Sequence, residues 1–183
     1  RDRCWVCLGG VLGVFGVVCD GMGGTNGGDL AAQLAIEAIK RYCLPQLNSQ
    51  SPLISRFKNP VDAIEAAVCE ANRTVVLRRQ NQNFAQMGTT IVAVCVGDHE
   101  VVIASVGDSR AYLLRGHSIL QLTRDDTLVQ EMVEQGKITA EESLSHPQAH
   151  VLTKALGAEP NLDVSIGALY CGPVEEGEGD IIL

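Results

Sequence analysis

The 183-residue sequence predicts an α+β fold of layered helices and antiparallel strands, on three observations. Two long segments carry apolar residues at helical spacing. Four short segments between 89 and 123 are period-two or continuously apolar, as strands are. Short helix signals then follow the strands instead of alternating with them, which disfavours a parallel βαβ sheet. The long helices are expected to cover the outer faces of sheet, giving a layered sandwich.

Residues 3–8 and 12–19 read as two strands joined by the Gly9-Gly10 turn. From Gly28 the period becomes helical, with Leu30, Leu34 and Ala38 on one row and Ala31, Ala35 and Ile39 on the next. A polar loop at 44–58 follows. Asn59 as N-cap and Pro60 at the first helical position open a helix over 60–80, whose stripe is Val61, Ile64, Val68, Ala71 and Val75. TTIVAVCVG, EVVIASVG, SRAYLLRG and HSILQLT read as an antiparallel meander turning at Gly97-Asp98, near Gly107-Asp108 and at Gly116. Its apolar runs imply burial on both faces. Thr127 to Gln135 reads as a short helix stopped by Gly136 and capped by Asp125 and Asp126. Thr139 with Glu142 forms a capping box for another. Pro147 and Gly157 bound an irregular segment, and 162–170 and 179–183 return to strand.

The length fits one domain, residues 1–183, and 46% apolar residues supply ample core material. No repeat, low-complexity tract or linker divides the chain. A net charge of −8 argues against a broad nucleic-acid surface and against binding anionic membranes, and it suits collecting divalent cations. Seven cysteines, an odd number scattered through apolar segments, read as reduced thiols used as small hydrophobes in a cytoplasmic protein. Cys4 and Cys7 have C-x-x-C spacing, but no second pair completes a zinc site, and Leu8-Gly9-Gly10 provides no helix start for a redox motif. They read as two packed thiols. The opening apolar run fails as a signal peptide, because Asp2 and Trp5 sit badly there and four glycines lie between Leu8 and Cys19. It is also too short to span a bilayer, which takes roughly 20 residues. The chain begins with Arg1 and stops at GDIIL within strand-like sequence, so both ends look cut.

The stretch VVCDGMGGTNGGDLAA carries the chemistry. Five glycines within eight positions after Asp20 resemble a phosphate cradle, but the third glycine of G-x-G-x-x-G is Asn26 and no lysine follows. The acid also stands where a pyrophosphate would approach. A carboxylate ending a buried strand suits a hard cation such as Mg²⁺ or Mn²⁺, with the Gly21 carbonyl free to reach the ion. The other glycines would keep backbone out of the substrate's space. Asp20 as a plain turn residue fits this stretch equally well. A second acid, Asp108, ends another apolar run in ASVGDSR, and metal-assisted phosphate chemistry needs carboxylates from separate strands converging on cations. His146 and His150 have H-x-x-x-H spacing, but Pro147 breaks a zinc-binding helix. His99 and His117 sit beside turns, and Ser109 lacks a His and Asp pattern for a hydrolase triad.

VFGVVCDGMGG followed by NGG, then MGTTIVAV, IASVGDSRAYLLRG, LTRDDTLVQEMVEQGKIT and HPQAHVLTKALG occur in this order. Together they resemble the metal-dependent protein serine/threonine phosphatases, the PPM or type 2C family, in its bacterial form, over essentially the whole chain. The resemblance implies a four-layer αββα sandwich of two antiparallel sheets flanked by helices, here incomplete at the C-terminus. It implies two Mn²⁺ or Mg²⁺ ions and a third, weaker one, and a monomer acting on phosphorylated proteins or peptides, with no nucleic-acid or membrane partner. By resemblance Asp20 bridges two metals, Gly21 offers its carbonyl, Asp108 helps hold the third, and Asp2 orders the attacking water. Residues 126–157, with His146, match the flap that influences substrate choice.

Departures accompany the match. Arg1 stands where the family commonly has Glu or Gln, and the phosphate-contacting arginine would precede the chain. Met22 replaces the histidine that serves eukaryotic members as general acid. The chain stops where the family continues into a Ser-Asp-Gly motif and a later Asn-x-x-Asp-like motif, which carry two further metal-ligand aspartates. The expected function is metal-dependent hydrolysis of phosphoserine and phosphothreonine, with this chain inactive alone for want of those ligands. The alternative is a non-catalytic phosphoprotein-binding module.

Overall fold

Along Val14–Met22, Phe15, Val17 and Cys19 are at most 5% exposed while Val14, Val18 and Asp20 face outward. That is the period of a strand with one buried face. The computed structural model describes residues 2–8, 14–47, 60–82, 86–97, 100–170 and 180–183. Their elements are β1 (Asp2–Leu8), β2 (Val14–Met22), α1 (Gly24–Leu47), α2 (Pro60–Gln82), β3 (Gly88–Thr89), β4 (Ile91–Val96) and β5 (Glu100–Val106), then β6 (Tyr112–Arg115), β7 (Ser118–Gln121), α3 (Leu128–Glu134), α4 (Ala140–Leu144), β8 (Ser165–Tyr170) and β9 (Ile181–Ile182).

The larger sheet runs β1-β2-β4-β5-β8, all neighbours antiparallel, with β3 pairing β2 off this path. Both long helices pack on one of its faces. Ala31, Ala35 and Ile39 of α1 and Ile64, Val68, Ala71 and Val75 of α2 are at most 2% exposed there. The alanines let the helix axes approach closely, and each buried Val or Ile stabilises by about 1.5–3 kcal/mol relative to exposure. The opposite face meets the smaller antiparallel sheet, β7-β6-β9, through Val92, Val101, Ile103 and Ala111. Two antiparallel sheets with flanking helices thus meet the predicted α+β sandwich. Toward β1 the smaller sheet leaves an apolar groove of about 280 Å³ between Val6, Val18, Val94 and Ile182.

The single four-strand meander is corrected. β4 and β5 pair as expected, but the chain leaves the sheet at Gly107, whose φ is +99°, and β6 and β7 belong to the second sheet. The edge of β5 is taken by β8 instead. Burial on both faces holds for β5, whereas all of β7 is exposed. α1 starts at Gly24, four residues before the expected Gly28, and runs through Pro45 to Leu47 into the predicted loop. The Gly9-Gly10 turn, the Asn59 cap, His99 and the loop from 48 lie outside the described residues.

The six cysteines among the described residues carry no disulfide. Burial pushes the thiols of Cys19 and Cys43 up to about 12 and that of Cys95 up to about 11, so they behave as hydrophobes. Cys4 is exposed and Cys7 only half-buried, so the pair is not packed as expected. No described helix is long and apolar enough to cross a membrane.

Candidate functional site

The register of β1 on β2 sets Asp2 directly opposite Asp20. Directly paired residues project to one face of a sheet, so the two carboxylates meet. Partial burial first, then the hydrogen bond and charge of Asp2, then the charge of Asp108, hold the Asp20 carboxyl above the usual carboxylate range. Asp2, Asp20 and Asp108 therefore share one rim.

Backbone hydrogen bonds fix that rim. The Asp20 N–H donates to Thr90 Oγ1 at 3.1 Å, and the Asp20 carbonyl accepts from the Thr90 N–H and from Thr89 Oγ1, both at 2.9 Å. Thr90 Oγ1 lies 2.6 Å from Ser109 Oγ, joining the β2 end to the Asp108 turn. Hard oxygen donors whose mutual repulsion a cation would relieve fit Mg²⁺ or Mn²⁺ chemically. Among the described residues, however, no three His, Cys, Asp or Glu close into a metal cluster.

The glycines of the β2–α1 turn serve packing. A Cβ on Gly21 would stand 2.1 Å from the Gly28 carbonyl oxygen, and one on Gly23 2.4 Å from that of Gln86. They let strand, helix and the segment before β3 touch backbone to backbone, rather than clearing space for substrate as expected. Met22 is 41% exposed beside them.

Asp108 is exposed and opens on a cavity of about 590 Å³, walled by Arg110, Asp125 and Thr127 on one side and Ser143, Leu144 and Ala149 on the other. Neither Asp125 nor Asp126 caps α3. Thr127 does, its Oγ1 accepting from the Gln130 N–H at 3.2 Å. Asp125 is buried and takes a bidentate grip from Arg110, at 2.9 Å from Nε and 2.6 Å from Nη2. Asp126 is fully buried against the Gly107 N–H at 3.0 Å. The Thr139–Glu142 capping box forms as predicted. His146, half-buried after α4, accepts from the Gln148 N–H at its Nδ1 (3.2 Å) and does not line the cavity.

Sequence reasoning missed the Arg110–Asp125 pair and the buried Asp126. One signal could have found them: a helix has a single N-cap, and two further acids beside apolar strands need partners elsewhere. Arg110→Ala should cost about 2 kcal/mol, below the 3–5 kcal/mol of a fully buried pair because about half of the arginine meets solvent. Urea unfolding checks this as a lower midpoint with unchanged slope.

A family model described as "Protein phosphatase 2C" matches residues 1–159. The serine/threonine phosphatase stp of Listeria monocytogenes serotype 4b (strain F2365) is 35% identical over 149 residues, 81% of this chain and 57% of its own length. The chain therefore spans little more than half of that relative. The solved S. agalactiae serine/threonine phosphatase superposes with a TM-score of 0.81 at 27% identity, over 99% of this chain and 70% of its own. The catalytic domain of the serine/threonine protein phosphatase PstP in complex with two manganese ions gives 0.72 at 28% identity, over 100% and 75%.

Proposed function

The chain belongs to the protein phosphatase 2C family, and from that premise we propose that its acidic rim serves the hydrolysis of phosphoserine and phosphothreonine in phosphoproteins. The observation that carries this reading is the hydrogen-bonded Asp2–Asp20 pair on the same rim as Asp108, which opens on the cavity beside residues 125–149. Asp20 and the Gly21 carbonyl would hold two Mn²⁺ or Mg²⁺ ions, and Asp108 a third. Such ions supply an acidified water and neutralise the phosphoryl oxygens. Asp2, opposite Asp20, orients the water by accepting its hydrogen bond. The cavity takes peptide flanking the phosphate, and His146, on the same 126–157 segment but outside the cavity lining, contacts substrate only beyond it. Met22 carries no proton to donate, so it does not serve as general acid to the leaving group. The free thiols among the described residues fit a cytoplasmic enzyme, and the net charge of −8 fits one that binds neither nucleic acid nor anionic membrane; we take it to act as a monomer.

A second reading draws on one fact, the absence of a closed metal cluster among the described residues. With so few charged oxygens, the 183-residue chain is expected to hold Mn²⁺ weakly and to show no metal-dependent turnover. On that reading it binds phosphoproteins without hydrolysing them. The test is p-nitrophenyl phosphate and phosphopeptide hydrolysis by the full-length gene product, with Mn²⁺ and after EDTA, beside the 183-residue chain. Hydrolysis that needs Mn²⁺ supports the enzyme. Phosphopeptide binding without turnover supports the module, and turnover that survives EDTA overturns the metal mechanism.

A further inference from the structure

Asp126 is a fully buried carboxylate with no part in the reading above, and its bonds converge on the turn that presents Asp108. Its Oδ2 accepts from the Gly107 N–H at 3.0 Å, and its own N–H donates to the Gly107 carbonyl at 2.9 Å. Gly107 has a φ of +99°, and a Cβ there would stand 2.7 Å from Thr90 Cγ2, so the turn is tightly confined. The Asp126 carbonyl accepts from the Thr153 N–H at 2.8 Å, and the next residues pair likewise, Leu128 N–H to the Val151 carbonyl at 2.9 Å. Oδ1 faces Arg124 Nη1 at 3.4 Å and Lys154 Nζ at 3.9 Å. One residue thus ties the Asp108 turn to both ends of the 126–157 segment, its backbone to Gly107 and Thr153 and its side chain to Gly107 and, at longer range, to Lys154.

A buried charge held by long ion pairs is poor value as a stabiliser, since desolvation offsets most of the attraction. Its charge and its grip on Gly107 make better sense as a means of fixing what Gly107 carries. We propose that Asp126 is a positioning residue for Asp108, setting the place of that carboxylate toward a divalent cation and coupling the cation to the 126–157 segment. This rests on the reading that Asp108 binds a cation. Partners that orient a ligand from behind typically change metal affinity by about 10- to 100-fold when removed.

The test is a Mn²⁺ titration of the 183-residue chain by electron paramagnetic resonance, comparing wild type, Asp108→Ala, Asp126→Asn and the double variant. Asp108→Ala should remove a share of the bound Mn²⁺, and Asp126→Asn should weaken that same share about tenfold. In the Asp108→Ala background, Asp126→Asn should change nothing further, because it acts through Asp108. A merely structural role would add its loss in either background. Amide exchange in the wild-type chain needs no folded Asp126 variant: Mn²⁺ should slow exchange at Gly107 and Thr153, and should not in Asp108→Ala. If Asp108→Ala binds like wild type, the cation reading of Asp108 fails and the proposal with it. If Asp108→Ala loses Mn²⁺ but Asp126→Asn does not, or the losses add, or Gly107 and Thr153 ignore Mn²⁺, the proposal alone is overturned.

Discussion

Asp20→Asn in the full-length gene product is expected to lower Mn²⁺-dependent hydrolysis by on the order of 10³-fold, about 4 kcal/mol of barrier, while leaving the fold at least as stable. Asparagine matches the shape of aspartate, and the bonds that anchor this position use the Asp20 backbone, to Thr89 and Thr90. What changes is the charge. Asp20 is held above the usual carboxylate range by burial and by Asp2 and Asp108, so its ionised form is disfavoured in the folded state. A carboxyl with a raised folded pKa costs stability once pH climbs from its unfolded value through its folded one. At neutral pH asparagine carries no such cost, and thermal unfolding should move upward or stay. Activity and stability should therefore separate. A loss of activity that merely tracks a loss of stability would place Asp20 among structural residues.

The elements set by local pattern were legible. Helical spacing announced α1 and α2, and Thr139 with Glu142 announced its own cap, because each signal lies within a few residues. The two acids of the rim were legible as apolar runs ending in aspartate. Their companionship was not, since it depends on β1–β2 register and on Thr90 reaching Ser109 across 19 positions. The meander was misread for a related reason. Continuous apolar runs say that strands are buried but not which strands pair, and a left-handed Gly107 redirected the chain. Asp125 and Asp126 looked like caps because an acid before a helix has that local use. Their partners, Arg110 and Gly107, lie 15 and 19 residues away.

Gly21→Ala is expected to destabilise the chain by about 3 kcal/mol or more, the upper end for forcing atoms into packed space. The added methyl would stand 2.1 Å from the Gly28 carbonyl oxygen and 3.0 Å from the Asp29 nitrogen, both backbone atoms that no rotamer change can move. Relief requires β2 and α1 to separate, and that contact places Asp20 at the rim. For a chain of this size each kcal/mol is worth about 2–4 °C, so the midpoint should fall by roughly 6–12 °C. Two other glycines serve as controls. Gly116 has a φ of +56° with no atom within 4 Å of an added Cβ, so alanine there meets only the left-handed backbone, about 1–2 kcal/mol. Gly167 also faces open space within β8 and needs no left-handed backbone, so alanine there should be neutral or slightly stabilising. Calorimetry of the three variants should rank Gly21 far below Gly116, and Gly116 below Gly167. A Gly21→Ala chain that melts with the wild type would mean that β2 and α1 do not meet backbone to backbone, and that the glycines after Asp20 have some use other than packing.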